Sequence, residues 1–98
     1  MKIYVSGKIS NLPKPEYESR FRVAEQHLKA MGYEVVNPLD LHETSAKTWD
    51  DFMITDILHL FKCDGIYMLN NWKDSKGARI EHAIAIECSK KIFYQPCT

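Results

Sequence analysis

Two carboxylates lie at positions where helical spacing predicts apolar side chains. At a rotation of about 100° per residue, Asp56 falls in the middle of an apolar stripe in the segment 48–62, and Glu81 falls on the inward face of a later predicted helix. The apolar stripe consists of Trp49, Met53, Ile57 and Leu60. The inward face of the later helix consists of Ile80, Ile84, Ala85 and Cys88. A buried carboxylate without partners is costly or takes up a proton. Two of them in different elements therefore indicate one shared polar cavity.

Such a pair is suited to cleavage of a glycosidic bond. Glu81 follows closely on the third predicted strand and lies near the start of its helix, where the helix dipole favours an ionised carboxylate. A nucleophilic carboxylate must be ionised, desolvated and aimed at an electrophilic carbon, and glycoside cleavage commonly adds a second carboxylate. We therefore predict Glu81 as nucleophile and Asp56 as the second acid, although either acid alone is about as often a cap or an ion-pair partner.

The elements that must position these acids alternate between strand and helix. Strands are predicted at 2–6, 33–37, 64–69 and 92–95, helices at 16–31, 48–62 and 77–90, and loops at 11–15, 39–47 and 70–76. Thr48 and Asp51 resemble a capping box, and Gly32 is predicted to cap the first helix. The order predicts one α/β domain over residues 1–98, a flavodoxin- or Rossmann-like three-layer sandwich with a short parallel sheet. Ligands of such sheets bind beyond the carboxyl ends of the strands.

Composition and charge limit the partners that are expected. The chain has 13 basic and 13 acidic side chains and no net charge, so it lacks the basic excess typical of proteins that bind duplex nucleic acid. No apolar run approaches the ~20 residues of a membrane span, and the N-terminus does not resemble a secretory signal. The cysteines at 63, 88 and 97 are odd in number and lack CxxC spacing, which predicts reduced thiols and a cytoplasmic location.

No cofactor is expected. The four histidines form no HxxxH or HxH pair, so they are predicted to lie at the surface and a metal site is not favoured. Neither a P-loop pattern nor GxGxxG is present. Of the two tryptophans, Trp49 is predicted to belong to the core. Trp72 falls in the polar loop before Glu81, where it either stacks on a base or anchors the loop or a dimer contact.

The segments that carry this chemistry resemble a known family. They are IYVSGKI (3–9), Asp56, DGIYML (64–69) and SKGARIEHAIA (75–85). In this order they resemble the nucleoside 2-deoxyribosyltransferase superfamily, especially its short members, which include 2′-deoxynucleoside 5′-phosphate N-hydrolases and an uncharacterised family of phages and bacteria. The resemblance extends from Lys2 to about Tyr94, and its most specific element is Ser75-x-Gly77-x-x-x-Glu81.

The resemblance implies a role for each matching residue. Glu81 corresponds to the nucleophile that attacks the anomeric carbon, and Asp56 to the acid that contacts base or sugar and assists proton transfer. Tyr4 corresponds to a tyrosine that steadies the nucleophile or the sugar. The segment Gly7, Lys8 and Ile9 corresponds to a loop that curls over the ligand.

The resemblance also points to a phosphorylated substrate. Ser75 matches a position that is serine in the members acting on nucleoside 5′-monophosphates and acidic in those acting on free nucleosides. A hydroxyl and helix N–H groups accept a phosphate, whereas a carboxylate repels it. Further substrate contacts are expected from Lys8, Ser10, Trp72 and Gly77. Arg79 either reads the phosphate or faces solvent.

We therefore expect cleavage or base exchange at the N-glycosidic bond of a (deoxy)nucleoside 5′-monophosphate, without metal or cofactor. The main alternative is a non-catalytic protein that binds a nucleotide or a nucleotide-derived signal, because Arg79, Ile80 and His82 are bulkier than the residues usual beside the nucleophile. A homodimer or larger homo-oligomer is also expected. Family enzymes often complete the pocket from a neighbouring subunit, and only Gln95 to Thr98 remain at the end of the last predicted strand.

Overall fold

A computed structural model describes residues 1–42 and 48–96, and this part of the chain contains four strands and three α-helices. In chain order the elements are β1 (Lys2–Ser6), α1 (Lys14–Ala30), β2 (Glu34–Val36), α2 (Trp49–Phe61), β3 (Gly65–Met68), α3 (Lys76–Glu87) and β4 (Lys91–Tyr94). All strand pairs are parallel. The predicted α/β sandwich with a short parallel sheet is confirmed. A short 3-10 turn at Pro38–Asp40 overlaps the start of the predicted loop 39–47. Residues 43–47 and Cys97 lie outside the described residues.

The strand order β2-β1-β3-β4 determines where a ligand can enter. The chain passes from β1 to β2 on one side and then crosses back to place β3 on the other side of β1. Such a reversal of strand order opens a crevice at the carboxyl ends of the two central strands. Ser6 and Met68 are paired at this edge, so the residues that follow β1 and β3 border the crevice.

The two faces of the sheet have separate cores, because side chains alternate along β1. Ile3 and Val5 pack with Phe21, Ala24 and Leu28 of α1. Tyr4 and Ser6 therefore point to the opposite face, where Tyr4 packs with residues of α2 and α3. That second core contains Leu60, Cys63, Ile66, Met68, Ala78 and Ala85. Tyr4 and Ser6 thus lie on the face that carries α2 and α3.

The helix termini follow local signals in the sequence. Thr48 Oγ accepts from the Asp51 amide at 3.2 Å, and Asp51 accepts from the Thr48 amide at 3.1 Å, which confirms the capping box. α1 begins at Lys14 instead of residue 16, because Pro15 is compatible with a first helical turn. Gly32, just past the end of α1, adopts φ +91°.

The end of α3 differs from the prediction. The helix stops at Glu87, three residues early, and Ser89 takes up a left-handed conformation with φ +55°. Cys88 was expected on the buried face of this helix, and that prediction is wrong because the residue is exposed. Within residues 1–42 and 48–96, no helix has both the length and the apolar character that a membrane crossing needs.

Candidate functional site

A pocket of about 440 Å³ lies between α2, α3 and the carboxyl end of β1. Its polar lining includes Tyr4, Ser6, His42, Asp56 and Glu81. The two acids predicted to share a cavity do line the same pocket, although they are separated by a strand and a loop in the chain. The volume falls within the range of about 300–1,000 Å³ that small-molecule sites occupy.

Two residues of β1 hold the side chain of Glu81 in place. Its side chain is almost fully buried, at 5% exposure. Tyr4 donates its hydroxyl hydrogen to Oε2 at 2.7 Å, and Ser6 donates to Oε1 at 2.6 Å. Both donors come from alternate positions of β1, so the period of a strand aims them at the same face. The carboxyl group is therefore fixed in position by two short hydrogen bonds.

The protonation of Glu81 is set by burial. Desolvation raises the pKa of Glu81 from 4.5 to about 7, against the opposing effect of the hydrogen bonds from Ser6 and Tyr4. The sequence predicts that the helix dipole favours the ionised form, but a pKa of about 7 leaves Glu81 only partly ionised at neutral pH. Glu81 is the sixth residue of α3, and the dipole acts mainly within the first turn. Burial also raises the pKa of the Tyr4 hydroxyl well above its usual value, with a contribution from Glu81, so Tyr4 remains a donor.

Asp56 has a partner that the sequence did not reveal. His42 Nε2 lies 2.9 Å from Oδ1 and 3.1 Å from Oδ2 of Asp56, and its ring packs against Phe52 at 4.5 Å between centroids. An ionised carboxylate only accepts hydrogen bonds, so Nε2 is the donor in that state. His42 was predicted to be a surface histidine, and this is wrong, because its side chain is only 19% exposed. Its separation of 14 residues from Asp56, across a loop, matches no recognisable spacing.

Aromatic and apolar side chains form the remaining walls of the pocket. Tyr17, Phe21, Phe52 and Met53 belong to this surface. Trp49 also lines the pocket but is 40% exposed, so it is not the core residue that was predicted. Trp72 lies elsewhere: its ring is 4.2 Å from that of His82, and it does not belong to the wall of the pocket. This position does not favour stacking on a base, which was one of the two roles predicted for Trp72. It favours the other role, in which Trp72 anchors its loop.

The loop after β1 and the start of α3 form one rim of the pocket. The residues that line this rim were predicted as substrate contacts, and they are Gly7, Ile9, Ser10, Ser75 and Gly77. Ser75 is also the N-cap of α3, since its Oγ accepts from the amide of Ala78 at 3.1 Å. Its carbonyl accepts from the amide of Arg79. The first-turn amides of Lys76 and Gly77 are left without an acceptor from the helix itself.

A second pocket of about 530 Å³ continues from this rim. It shares Ser10, Trp49, Ser75 and Gly77 with the first pocket. Its other walls are Lys8, Asn11, Asp74, Lys76 and Arg79. We call it the basic pocket. Lys8, which was predicted as a substrate contact, therefore lines the basic pocket and not the pocket that contains Glu81.

Together these groups can perform carboxylate chemistry on a ligand with a planar apolar part and an anionic part. Glu81 can act in either protonation state near pH 7, Asp56 is oriented by His42, and the aromatic wall is suited to a ring system. Within the described ranges 1–42 and 48–96, no three His, Cys, Asp or Glu side chains are arranged to hold a metal ion.

A comparison with protein families relates this chain to other proteins. The family model DUF4406, described as a domain of unknown function, matches residues 1–94. The match covers every strand and helix of the described structure. No curated protein matches the chain. The family match therefore supplies a relationship but no activity, and the chemistry has to be argued from the site.

Proposed function

We propose that this chain, which belongs to the DUF4406 family, cleaves or exchanges the N-glycosidic bond of a (deoxy)nucleoside 5′-monophosphate, with Glu81 as nucleophile. The observation that carries the proposal is the geometry around Glu81. A nearly fully buried carboxyl group is fixed by Tyr4 and Ser6 in a pocket that also contains Asp56. The resemblance of the sequence to nucleoside 2-deoxyribosyltransferases supports the same assignment.

The reaction proceeds in two steps. In its ionised form, Glu81 attacks C1′, a bond forms between the carboxylate oxygen and C1′, and the bond from C1′ to the base nitrogen breaks. The electron pair remains on the base nitrogen, which takes up a proton that comes from water and is transferred with the assistance of Asp56. Water then attacks C1′ of the glycosyl ester and loses a proton to the solvent, the bond from C1′ to the Glu81 oxygen breaks, and the products are the sugar phosphate and the regenerated carboxylate. Alternatively, a second base takes the place of the water, loses its proton and forms a new nucleotide. His42 acts as a positioning residue that fixes the orientation of Asp56.

The walls of the pocket match the other parts of this substrate. The aromatic residues of α1 and α2 provide the surface for the base. The first-turn amides of Lys76 and Gly77, with the hydroxyls of Ser10 and Ser75 in the same rim, form the place for the 5′-phosphate, because helix N-termini bind anions. The carboxylates supply the chemistry that such a displacement needs, so the proposed reaction requires no cofactor.

The test is release of free base. Wild-type protein is incubated with the ribo- and deoxyribonucleoside 5′-monophosphates, and the products are separated by chromatography. Glu81→Gln removes the nucleophile and keeps the size of the side chain, so we expect base release to fall by at least about a thousandfold. Glu87→Gln is the matched control, since Glu87 lies in the same helix and is exposed. It should leave the rate unchanged.

The result also separates this proposal from nucleotide binding without cleavage. That second candidate is favoured by one observation, namely that both oxygens of Glu81 already accept hydrogen bonds. A nucleotide that raises the melting temperature of wild type and of Glu81→Gln alike, with no base released by either, would establish the binding protein and overturn the enzyme. Base release that depends on Glu81 would establish the enzyme.

We also propose that the protein forms a homodimer through the outer face of α2. Ile54, Leu58 and Phe61 lie along one side of this helix and are 67%, 52% and 53% exposed. Two copies of the helix packed antiparallel around a two-fold axis would bury these residues against each other. The same arrangement would bring the exposed acidic Asp50 of one copy towards the exposed basic Lys62 of the other, so the charges at the two ends are complementary.

We place the protein in the cytoplasm. Cys63 is buried and Cys88 is exposed, and both are free thiols in the structure. Burial raises the pKa of the Cys63 thiol, which keeps it in the less reactive protonated form. Free thiols of this kind are typical of a reducing compartment.

A further inference from the structure

The basic pocket lies beyond the place assigned to the 5′-phosphate. Ser10, Ser75 and Gly77, which border that place, are shared by the two pockets. Lys8, Lys76 and Arg79 line the basic pocket and not the first pocket. A nucleoside monophosphate with its sugar over Glu81 would therefore end at the border and leave the basic pocket empty.

The charge of the basic pocket is unusual for this chain. Lys8, Lys76 and Arg79 face a single carboxylate, that of Asp74. Three cations and one anion leave an excess of two positive charges in a protein whose net charge is zero. Clefts lined by one sign of charge attract ligands of the opposite sign. The excess of positive charge thus lies where further phosphates on the 5′ position of a nucleotide would extend.

Two of the three cations are held in position by neighbouring groups. Lys76 Nζ lies 4.6 Å from the centroid of the Trp49 ring, a cation–π contact that keeps the ammonium beside the shared border. Arg79 donates from Nη1 to the carbonyl oxygen of Lys73 at 2.6 Å. A guanidinium has five N–H donors in a planar fork that suits phosphate oxygens. Arg79 is exposed, as its predicted solvent-facing role requires, and its place in the wall of the basic pocket also allows it to bind a phosphate.

We propose that the basic pocket binds the β-phosphate of a nucleoside 5′-diphosphate group, with Arg79 and Lys76 as its main contacts. This inference rests on the proposed function for the position of the first phosphate. The substrate class then becomes a pyrophosphate-bearing nucleotide, in which the diphosphate is either free or esterified to a second group. The basic pocket is about as large as the first one, so it has room for either form.

The experiment compares affinities and not rates. Glu81→Gln protein, which should not turn over, is titrated by calorimetry with the mono- and diphosphate of the same nucleoside and with an adenosine diphosphate ester such as ADP-ribose. We expect the diphosphate to bind at least about tenfold more tightly than the monophosphate. Adding Arg79→Ala should bring this affinity ratio close to one. Adding Lys73→Ala is the matched control, because the Lys73 side chain does not line the pocket, and the ratio should persist.

The outcome is independent of the test for base release. If monophosphates lose their base in a Glu81-dependent manner but the diphosphate binds no more tightly, the inference about the basic pocket is overturned and the proposed reaction stands. If the diphosphate binds more tightly through Arg79 and no nucleotide is cleaved, the reaction is wrong and the pocket assignment stands. If the adenosine diphosphate ester also binds more tightly than the monophosphate, the site recognises a bridging diphosphate. If only the free diphosphate binds more tightly, the site recognises a terminal phosphate.

Discussion

Two opposing effects determine the pKa of the Glu81 carboxyl group. Burial disfavours the charged form, whereas the hydrogen bonds from Tyr4 and Ser6 favour it, and burial has the larger effect because the pKa rises to about 7. The shift from 4.5 corresponds to about 3 kcal/mol at roughly 1.4 kcal/mol per pH unit. This free energy opposes folding whenever the folded protein must carry the charge, so the site is maintained at the expense of stability.

We expect Glu81→Gln to remove a pH dependence of stability. Between pH 4.5 and about 7 the unfolded chain has lost the proton that folded Glu81 retains, so the stability of the wild type falls as pH rises through this window and levels off above it. Glutamine does not titrate, and the hydroxyls of Tyr4 and Ser6 can each donate or accept. The stability of Glu81→Gln relative to wild type should therefore increase by up to about 3 kcal/mol across the window.

Urea denaturation followed by circular dichroism at pH 4.5, 6, 7 and 8.5 measures this difference. Glu87→Gln is again the matched control, because its side chain is exposed in the same helix, and its difference from wild type should stay constant. A constant difference for Glu81→Gln as well would contradict the assignment of a buried carboxyl group that retains its proton.

The sequence predicts which acids belong to the site more readily than it predicts the pKa values and hydrogen-bond partners of those acids. Asp56 and Glu81 were recognisable because acids interrupt apolar helix faces, and the structure places both in one pocket. The pKa of Glu81 was not predictable, because its direction depends on the depth of burial. His42 was not predictable either, since its contact with Asp56 joins a loop to a helix.

The loop after β1 depends on a glycine at its first position. A Cβ at Gly7 would lie 2.5 to 2.8 Å from three side-chain atoms of Leu69, including its own Cβ. Leu69 is fully buried and its amide donates to the carbonyl of Ser6 at 2.8 Å. Because the backbone of Leu69 is fixed in this way, it cannot move aside, and only glycine allows β1 and the end of β3 to approach at the edge of the pocket.

We expect Gly7→Ala to destabilise the protein by about 1–3 kcal/mol, the usual cost of overpacking. Thermal unfolding followed by circular dichroism measures the loss. Gly77→Ala is the matched control. Its Cβ would meet the Met53 sulfur at 3.0 Å, which is a flexible contact, and alanine favours a helix over glycine by roughly 0.5–1 kcal/mol. Equal stability of Gly7→Ala and wild type would show that Leu69 can repack and that the close approach is not required.

Element boundaries were predictable where a local signal exists. β1 was predicted at its observed bounds, and α2 begins after its predicted capping box. The end of α3 was missed because apolar spacing continues through Cys88 while the backbone turns at Ser89. Capping residues and prolines act over a few positions, but the point at which a helix leaves the sheet is decided by packing against other elements.

At the scale of the whole molecule, the strand order joins distant segments into one site. Crossing back from β2 over β1 brings the loop after β1, the first half of α2 and the start of α3 around the pocket. Alternation of strands and helices predicts a parallel sheet from the sequence, and right-handed crossovers limit the possible orders. The observed order is one of several that satisfy both rules, so only the structure identifies the segments that border the crevice.

The outer face of α2 connects this site to the proposed dimer, because the same helix carries Asp56 on its inner side and Ile54, Leu58 and Phe61 on its outer side. We expect sedimentation equilibrium to give twice the chain mass for wild type and the mass of one chain for Leu58→Glu. Val23→Glu is the matched control. Val23 in α1 is 57% exposed and lies outside the proposed interface, so this variant should remain dimeric. A monomeric wild type, or a dimeric Leu58→Glu, would contradict the interface.

The antiparallel direction of the two helices can be tested separately. Asp50→Lys and Lys62→Asp each place like charges opposite one another in the proposed arrangement, so each should shift the dimer towards monomer at low salt. Combining both changes restores opposite charges at the two ends and should recover most of the dimer, because complementary charges fix the register of an interface. A double variant that dissociates as much as the two single variants together would indicate a different orientation, since the two positions would then not face each other.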